Sequence, residues 1–212
     1  MSSPVAQVPA PCDVVEPVVA EHAERFAQVL LQAWGAFATT RSRSKAQMAF
    51  AGASARGMLV SDFTREPAHR VFASVPGVWV DDRFGRPWVN LDGGSVQVRF
   101  RKLTPAGLIC RSDSQRATRL AFHLGDTLFP DVPEATVLTA GYVLDASETH
   151  VERMSLVCHL GSQLHYAIPL PGGTAASSAP TQLPLTPLSE PIIRSARAAA
   201  AQRLADGSTA GA

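Results

Sequence analysis

The chain contains no C-x-x-C pair, no apolar run long enough to cross a bilayer, and almost no net charge. Its 212 residues carry 19 Lys and Arg against 18 Asp and Glu, a formal net charge of +1. That balance supplies no whole-molecule attraction to nucleic acid or to an anionic membrane, so such a partner would have to be met by a local patch. A membrane span needs about 20 consecutive apolar residues, and no segment approaches that length. The start, MSSPVAQVPAPCDVVEP, has neither the basic nor the apolar region of a secretory signal. The three cysteines, Cys12, Cys110 and Cys158, are odd in number and far apart. They read as free thiols of a reducing compartment rather than as a disulfide framework or a structural zinc site. A soluble, cytoplasmic protein of bacterial type, without membrane association, is the expectation.

Catalytic signatures are missing as well. H-E-x-x-H, a Walker A loop and G-x-G-x-x-G do not occur, and the run from Gly52 to Gly57 places its glycines wrongly for G-x-S-x-G. His150-Val151-Glu152 repeats the H-x-E half of a zinc deaminase signature, but no P-C-x-x-C follows. No motif calls for a cofactor, and the balance leans away from an enzyme.

What is present is a change of period along the chain. Residues 1–15, with Pro4, Pro9 and Pro11, show no periodicity and are expected to be disordered. A helical segment follows over residues 16–75. Val19, Ala23, Phe26, Leu30, Ala33 and Phe37 recur at spacings of three and four, one stripe of a helix from Pro17 to about Thr40. That stripe suits either packing on its own domain or a two-helix seam. The basic stretch TTRSRSK then separates it from a second helix over Ala46–Leu59 and a short helix and loop to Val75.

From residue 76 to 170 the period becomes two. Strands are expected near Val78–Asp81, Trp88–Leu91, Ser95–Leu103 and Leu108–Arg111, with three more between Ala135 and Leu170. Val96, Val98 and Phe100 point one way and Gln97, Arg99 and Arg101 the other, as in a sheet with one wet face. Ser112 or Asp113 supplies an N-cap for a helix striped by Ala117, Leu120, Ala121, Leu124 and Leu128, which should lie on the sheet. Residues 171–190 are proline-rich and read as a linker, residues 191–206 as a short C-terminal helix, and residues 207–212 as a disordered tail. The fold class is therefore α+β: a mainly antiparallel, curved sheet of about six to seven strands with one packed helix, after a helical segment and before a tethered helix.

The stretch VERMSLVCHLGSQLHYAIPLP carries a cysteine and two histidines in its central hairpin. Matching the apolar faces sets Cys158 opposite Tyr166, Leu156 opposite Ile168, Met154 opposite Leu170 and Leu160 opposite Leu164, with His159 facing His165. A two-residue Gly161-Ser162 turn instead sets His159 opposite Leu164. The apolar register is preferred, because a one-residue slip exchanges the faces of a whole strand. Two cross-strand histidines supply only half of a tetrahedral metal shell, so no metal site is assigned.

Charge is segregated along the chain. Arg99, Arg101, Lys102, Arg111, Arg116 and Arg119 meet only Asp113, whereas Asp126 to Glu152 carries no lysine and one block of acids ending in Glu148 and Glu152. These blocks are either solvated or paired with each other across the sheet, and Arg41, Arg43 and Lys45 would add to the basic surface if folded nearby. Three functional expectations follow. The first is a non-enzymatic binding, adaptor or regulatory module acting through a protein partner or a second copy of the chain. Its partner-binding helix would present Ile192, Ile193, Ala196, Ala200 and Leu204. The second is a nucleic-acid-binding regulator using Arg99, Arg101, Arg111, Arg116 and Arg119. The third is a metal-dependent enzyme built on His150, Glu152, His159 and His165.

Overall fold

The computed structural model describes residues 9–83, 85–110, 135–160, 163–172 and 181–182. The long apolar stripe is divided between two helices, α1 (Cys12–Ala20) and α2 (Ala23–Arg43). The amide of His22 closes back on the carbonyl of Val19, and helical bonding restarts when the carbonyl of His22 accepts from Phe26. Phe26, Leu30, Ala33 and Phe37 of α2 are all buried, as their spacing requires.

Two expectations change at the ends of this pair. The stretch to residue 15 is not unstructured throughout: from residue 9 it is described, and Cys12, Val15 and Val19 bury one side of α1. The amide of Ala10 donates to Thr136 Oγ1 at 2.9 Å, and Tyr166 Oη donates to the carbonyl of Ala10 at 3.1 Å. At the other end, TTRSR is no link but the last turn of α2. Beyond it come the single turn α3 (Lys45–Met48), α4 (Ala53–Phe63) and α5 (Arg65–Phe72), so the helix expected over Ala46–Leu59 is broken ahead of Gly52.

The sheet runs β1 (Trp79–Arg83), β2 (Arg86–Leu91), β3 (Val96–Lys102), β4 (Thr136–Leu144), β5 (Val151–Leu160) and β6 (Gln163–Pro169), with the two-residue β7 (Thr181–Gln182) pairing β6. Strand order follows chain order. All neighbours are antiparallel except β3 and β4, which pair in parallel from Val96↔Thr136 to Lys102↔Tyr142. The sheet is thus open, mixed and mostly antiparallel, with helices packed on it, an α+β architecture. The strand expected at Leu108–Arg111 is reduced to one bridge, Leu103↔Ile109. The helix expected after Ser112 and the C-terminal helix lie outside the described residues.

Alternation sorts the strands into two faces. Val89, Val98, Phe100, Leu138, Ala140, Leu156, Cys158 and Tyr166 meet the helices in one core shared with Val15, Phe26, Leu30 and Phe37. Phe26 joins three elements: its ring lies 5.1 Å from that of Phe72 on α5 and 6.2 Å from that of Phe100 on β3. The opposite face carries a second apolar group, Leu103, Val143 and Val157. Gly141 on β4 is what lets Leu103 lie across that face, because a Cβ there would meet Leu103 Cγ at 2.3 Å.

In the β5–β6 hairpin both competing registers are realised. Cys158 faces Tyr166 and Leu156 faces Ile168, and the amide of Leu170 donates to Met154, all as the apolar faces demand. Beyond Cys158 the register shifts, so that His159 faces Leu164 and Leu160 faces Gln163, with two residues left to connect them. The expected Leu160–Leu164 and His159–His165 pairings are therefore incorrect. A β-bulge absorbs the extra residue and keeps the core face buried while the tip takes its short connection.

Candidate functional site

Of the five expected arginines, the two among the described residues, Arg99 and Arg101, do not lie on a solvated stripe. Arg99 is only 6% exposed, its Nε donates to Thr139 Oγ1 at 3.1 Å, and its guanidinium lies 6.0 Å from the ring of Trp88. Burial lowers its pKa to about 10. Arg101 is half-buried and is likewise lowered to about 10, by burial first and then by the like charges of Arg86 and Arg99. The face expected to be wet is lined along one row by Asp81, Trp88, Arg99, Thr139 and Val157, so polar alternation there does not mean exposure. Arg111, Arg116, Arg119 and the residues from Ile192 to Leu204 lie outside the described residues.

On the same face Arg83 is held within the sheet. Its Nε and Nη2 donate to Asp81 Oδ2 at 3.0 and 2.9 Å, Nη1 donates to Gln97 Oε1 at 2.8 Å, and its guanidinium lies 5.1 Å from the ring of Trp88. These contacts tie β1, β2 and β3 together, and they occupy the donors that a ligand would use.

Of the histidines expected for metal chemistry, His159 and His165 lie across the β5–β6 bulge from each other, His165 being the extra residue, and His150 is on a separate loop. His150 sits exposed on the β4–β5 loop with Nδ1 2.8 Å from Thr149 Oγ1, whereas His159 is buried in β5. Among the described residues no group of three or more His, Cys, Asp or Glu is placed to hold a metal ion. No helix among the described residues is long and apolar enough to cross a membrane.

Charge converges elsewhere, in a cleft between α2, α4, the ends of β3 and β4, and the β4–β5 loop. Its empty volume, including space open to solvent, is about 310 Å³. Glu148 stands in the middle. Lys102 Nζ lies 2.7 Å from its Oε1, Arg56 Nη2 lies 2.8 Å from its Oε2, and Arg41 Nη1 donates to its backbone carbonyl at 3.4 Å. Three cations from three different elements thus hold one residue, Lys102 and Arg56 at its carboxylate and Arg41 at its backbone carbonyl. The hydrogen bond and charge of Lys102, joined by those of Arg56, outweigh burial and hold the Glu148 carboxyl below its ordinary range. Beneath lie the aromatic rings of Trp34 and Tyr142, 6.1 Å apart.

The loop that presents Glu148 is built by Asp145. Asp145 Oδ1 accepts from the amides of Thr149 at 2.7 Å and His150 at 2.9 Å, and Oδ2 accepts from the Ser147 hydroxyl. The Ser147 bond first, and then the backbone amides, hold this carboxyl far below the usual carboxylate range. Glu148 itself adopts φ 52°, the left-handed region that side chains other than glycine enter at a cost.

Each ingredient of the cleft is legible in the sequence, but its meeting point is not. Arg41 belongs to the basic stretch TTRSRSK, Lys102 to the basic block and Glu148 to the acidic one, so among the described residues the two blocks pair through Lys102 and Glu148. Arg56 has no signal at all, since it stands in a stretch of small residues that suggests nothing beyond a helix. Comparison of the chain with protein-family models, with curated proteins and with solved structures finds no match.

Proposed function

We propose that this chain is a non-enzymatic binding module of adaptor or regulatory type, and that it takes hold of a partner protein through an acidic group seated among Arg41, Arg56 and Lys102. The observation that carries this reading is the convergence of those three cations on Glu148, Arg56 and Lys102 on its carboxylate and Arg41 on its backbone carbonyl. Guanidinium and ammonium groups so arranged recognise oxyanions, and a glutamate side chain from the same chain stands in for the acidic side chain of a partner. Preformed placement matters here. The cations sit on α2, α4 and β3, which share one core, so little ordering remains to be done on binding.

The nucleic-acid reading draws less support, because Arg99, the centre of its expected surface, is buried. Titration of a short glutamate-rich peptide, followed by calorimetry at low and moderate salt, tests the proposal. Binding that weakens with salt and disappears in the double variant R56A/K102A is the expected result. Equal binding by wild type and double variant overturns it, and capture of duplex or single-stranded oligonucleotide in place of the peptide turns attention to Arg101 and the basic block.

A further inference from the structure

We propose that the acidic group for which this cleft is built is a phosphate monoester, and that Glu148 is an internal plug which the phosphate displaces. The proposal rests on the binding reading above and names its ligand class.

The charge arithmetic favours a dianion. Among the described residues that line the cleft, Arg41, Arg56 and Lys102 are opposed by the single negative charge of Glu148. With Glu148 swung outward, the cleft presents three cations, and one carboxylate from a ligand would leave it no better balanced than before. A phosphate monoester carries a charge of about −1.5 to −2 at neutral pH and offers three acceptor oxygens, enough to address all three cations separately. Arg56 and Lys102 already grip the two carboxylate oxygens of Glu148 one apiece, and the third oxygen of a phosphate would fall to the N–H donors of Arg41 beyond the Nη1 that serves the Glu148 carbonyl.

A fourth feature points the same way. Helix α4 begins at the cleft: Ala53 and Gly57 line it, and the N-cap position is Gly52, with no side chain capping the first-turn amides. No acidic residue occupies the first turn of this 11-residue helix. The unsatisfied amides and the positive end of the helix dipole add to the field of the three cations and suit an oxyanion. The plug carries its own means of release. The side chain of Glu148 remains 40% exposed, so it has a path outward, and it stands on a backbone held in the left-handed region, φ 52°. The apolar floor of Trp34 and Tyr142 gives the organic portion of the ester a surface to lie on.

Phenyl phosphate, benzoate and phenol form a series of falling charge on one aromatic body. Their binding at pH 7.5 to wild type, E148A and E148Q, measured by calorimetry, provides the test. Phenyl phosphate should bind more tightly than benzoate, phenol should not bind, and removal of the plug charge in E148A and in the isosteric E148Q should each raise the affinity for phenyl phosphate about tenfold. K102A should lower it by at least as much. A peptide bearing one phosphoserine separates the two sources of such a group: tighter binding than phenyl phosphate identifies a phosphorylated partner protein, and equal binding identifies a free small-molecule ester. Benzoate equalling phenyl phosphate, or an affinity unchanged by both Glu148 substitutions, overturns the phosphate inference alone. Failure of wild type and both variants to bind any of these anions or the glutamate-rich peptide overturns the binding reading with it.

Discussion

Gly141→Ala adds one methyl group to the sheet, and its cost should reveal how tightly the second apolar face is packed. A Cβ at this position would lie 2.3, 2.4 and 2.8 Å from Cγ, Cδ1 and Cδ2 of Leu103. Those separations are far inside van der Waals contact. Leu103 has no easy retreat, being 1% exposed, tied by its amide to the carbonyl of Tyr142 at 2.9 Å, and surrounded by Val143, Val157 and Ile109. Overpacking of this kind costs about 1–3 kcal/mol. Leu103→Ala alone opens a cavity and should cost about 2–5 kcal/mol. In the double variant the methyl added on β4 enters space that Leu103 has vacated, so its loss should be no greater than that of Leu103→Ala alone. The coupling energy is then favourable by about 1–3 kcal/mol, well beyond the additivity error of about 0.5 kcal/mol for independent sites. Urea unfolding followed by tryptophan fluorescence measures all four corners of the cycle, with constant m-values as a check that only stability has changed. Additive losses, or a Gly141→Ala variant as stable as the parent, would refute the reasoning.

Three further outcomes are expected. Phe26→Ala, which removes the ring joining α2 to α5 and β3, should lower stability by about 3–5 kcal/mol in the same unfolding assay. Tyr166→Phe deletes the hydroxyl that donates to the carbonyl of Ala10, so it should cost about 1–3 kcal/mol and hasten proteolytic cleavage near residue 10 in a time course on gels. Stability should also fall in acid, through carboxyls that ionise more readily in the fold than in the unfolded chain. Glu148 is held low by Lys102 and Arg56; at Asp82 burial pulls upward, but the hydrogen bonds and charges of Arg65 and His69 outweigh it. Such groups stabilise fully above their unfolded pKa values, 4.5 and 3.8, and lose that contribution as pH falls through the lower folded values. Melting temperature against pH should therefore drop below about pH 4.5, and E148Q should flatten the descent; an identical acid limb in E148Q removes Glu148 from the account.

Periodicity carried much of the fold because it reports burial along a single element. The spacing of Phe26, Leu30, Ala33 and Phe37 marks the inner side of α2, and alternation in β3 marks Val98 and Phe100 as core residues. It does not report strand direction, so the parallel pairing of β3 with β4 left no trace in the residues themselves. Nor does it tell a wet face from a second packed one: Arg99 alternates as a surface residue and is buried beside Trp88 and Thr139. In the β5–β6 hairpin two valid local signals conflicted, and a bulge, invisible to either alone, satisfied both. The cleft is legible only as separate charges. Arg41, Arg56, Lys102 and Glu148 are spread over more than a hundred positions, and only the packing of α2 and α4 against the sheet makes them neighbours.

The hydrogen bonds of Ala10 have a consequence for the order in which the protein is made. Its partners, Thr136 and Tyr166, stand 126 and 156 positions later in the chain. At translation rates of 5–20 residues per second, roughly 6–30 s separate the emergence of α1 from that of the strands that fix it. During that interval Val15 and Val19 lack the strands that complete the core they share, and their apolar side is open to any passing holdase. A nascent chain stalled before Thr136 stays sensitive to protease around α1, whereas one extended and released beyond Leu170 is protected there. Helix α1, which leaves the ribosome before every strand of the sheet, is among the last of the described elements to find its place.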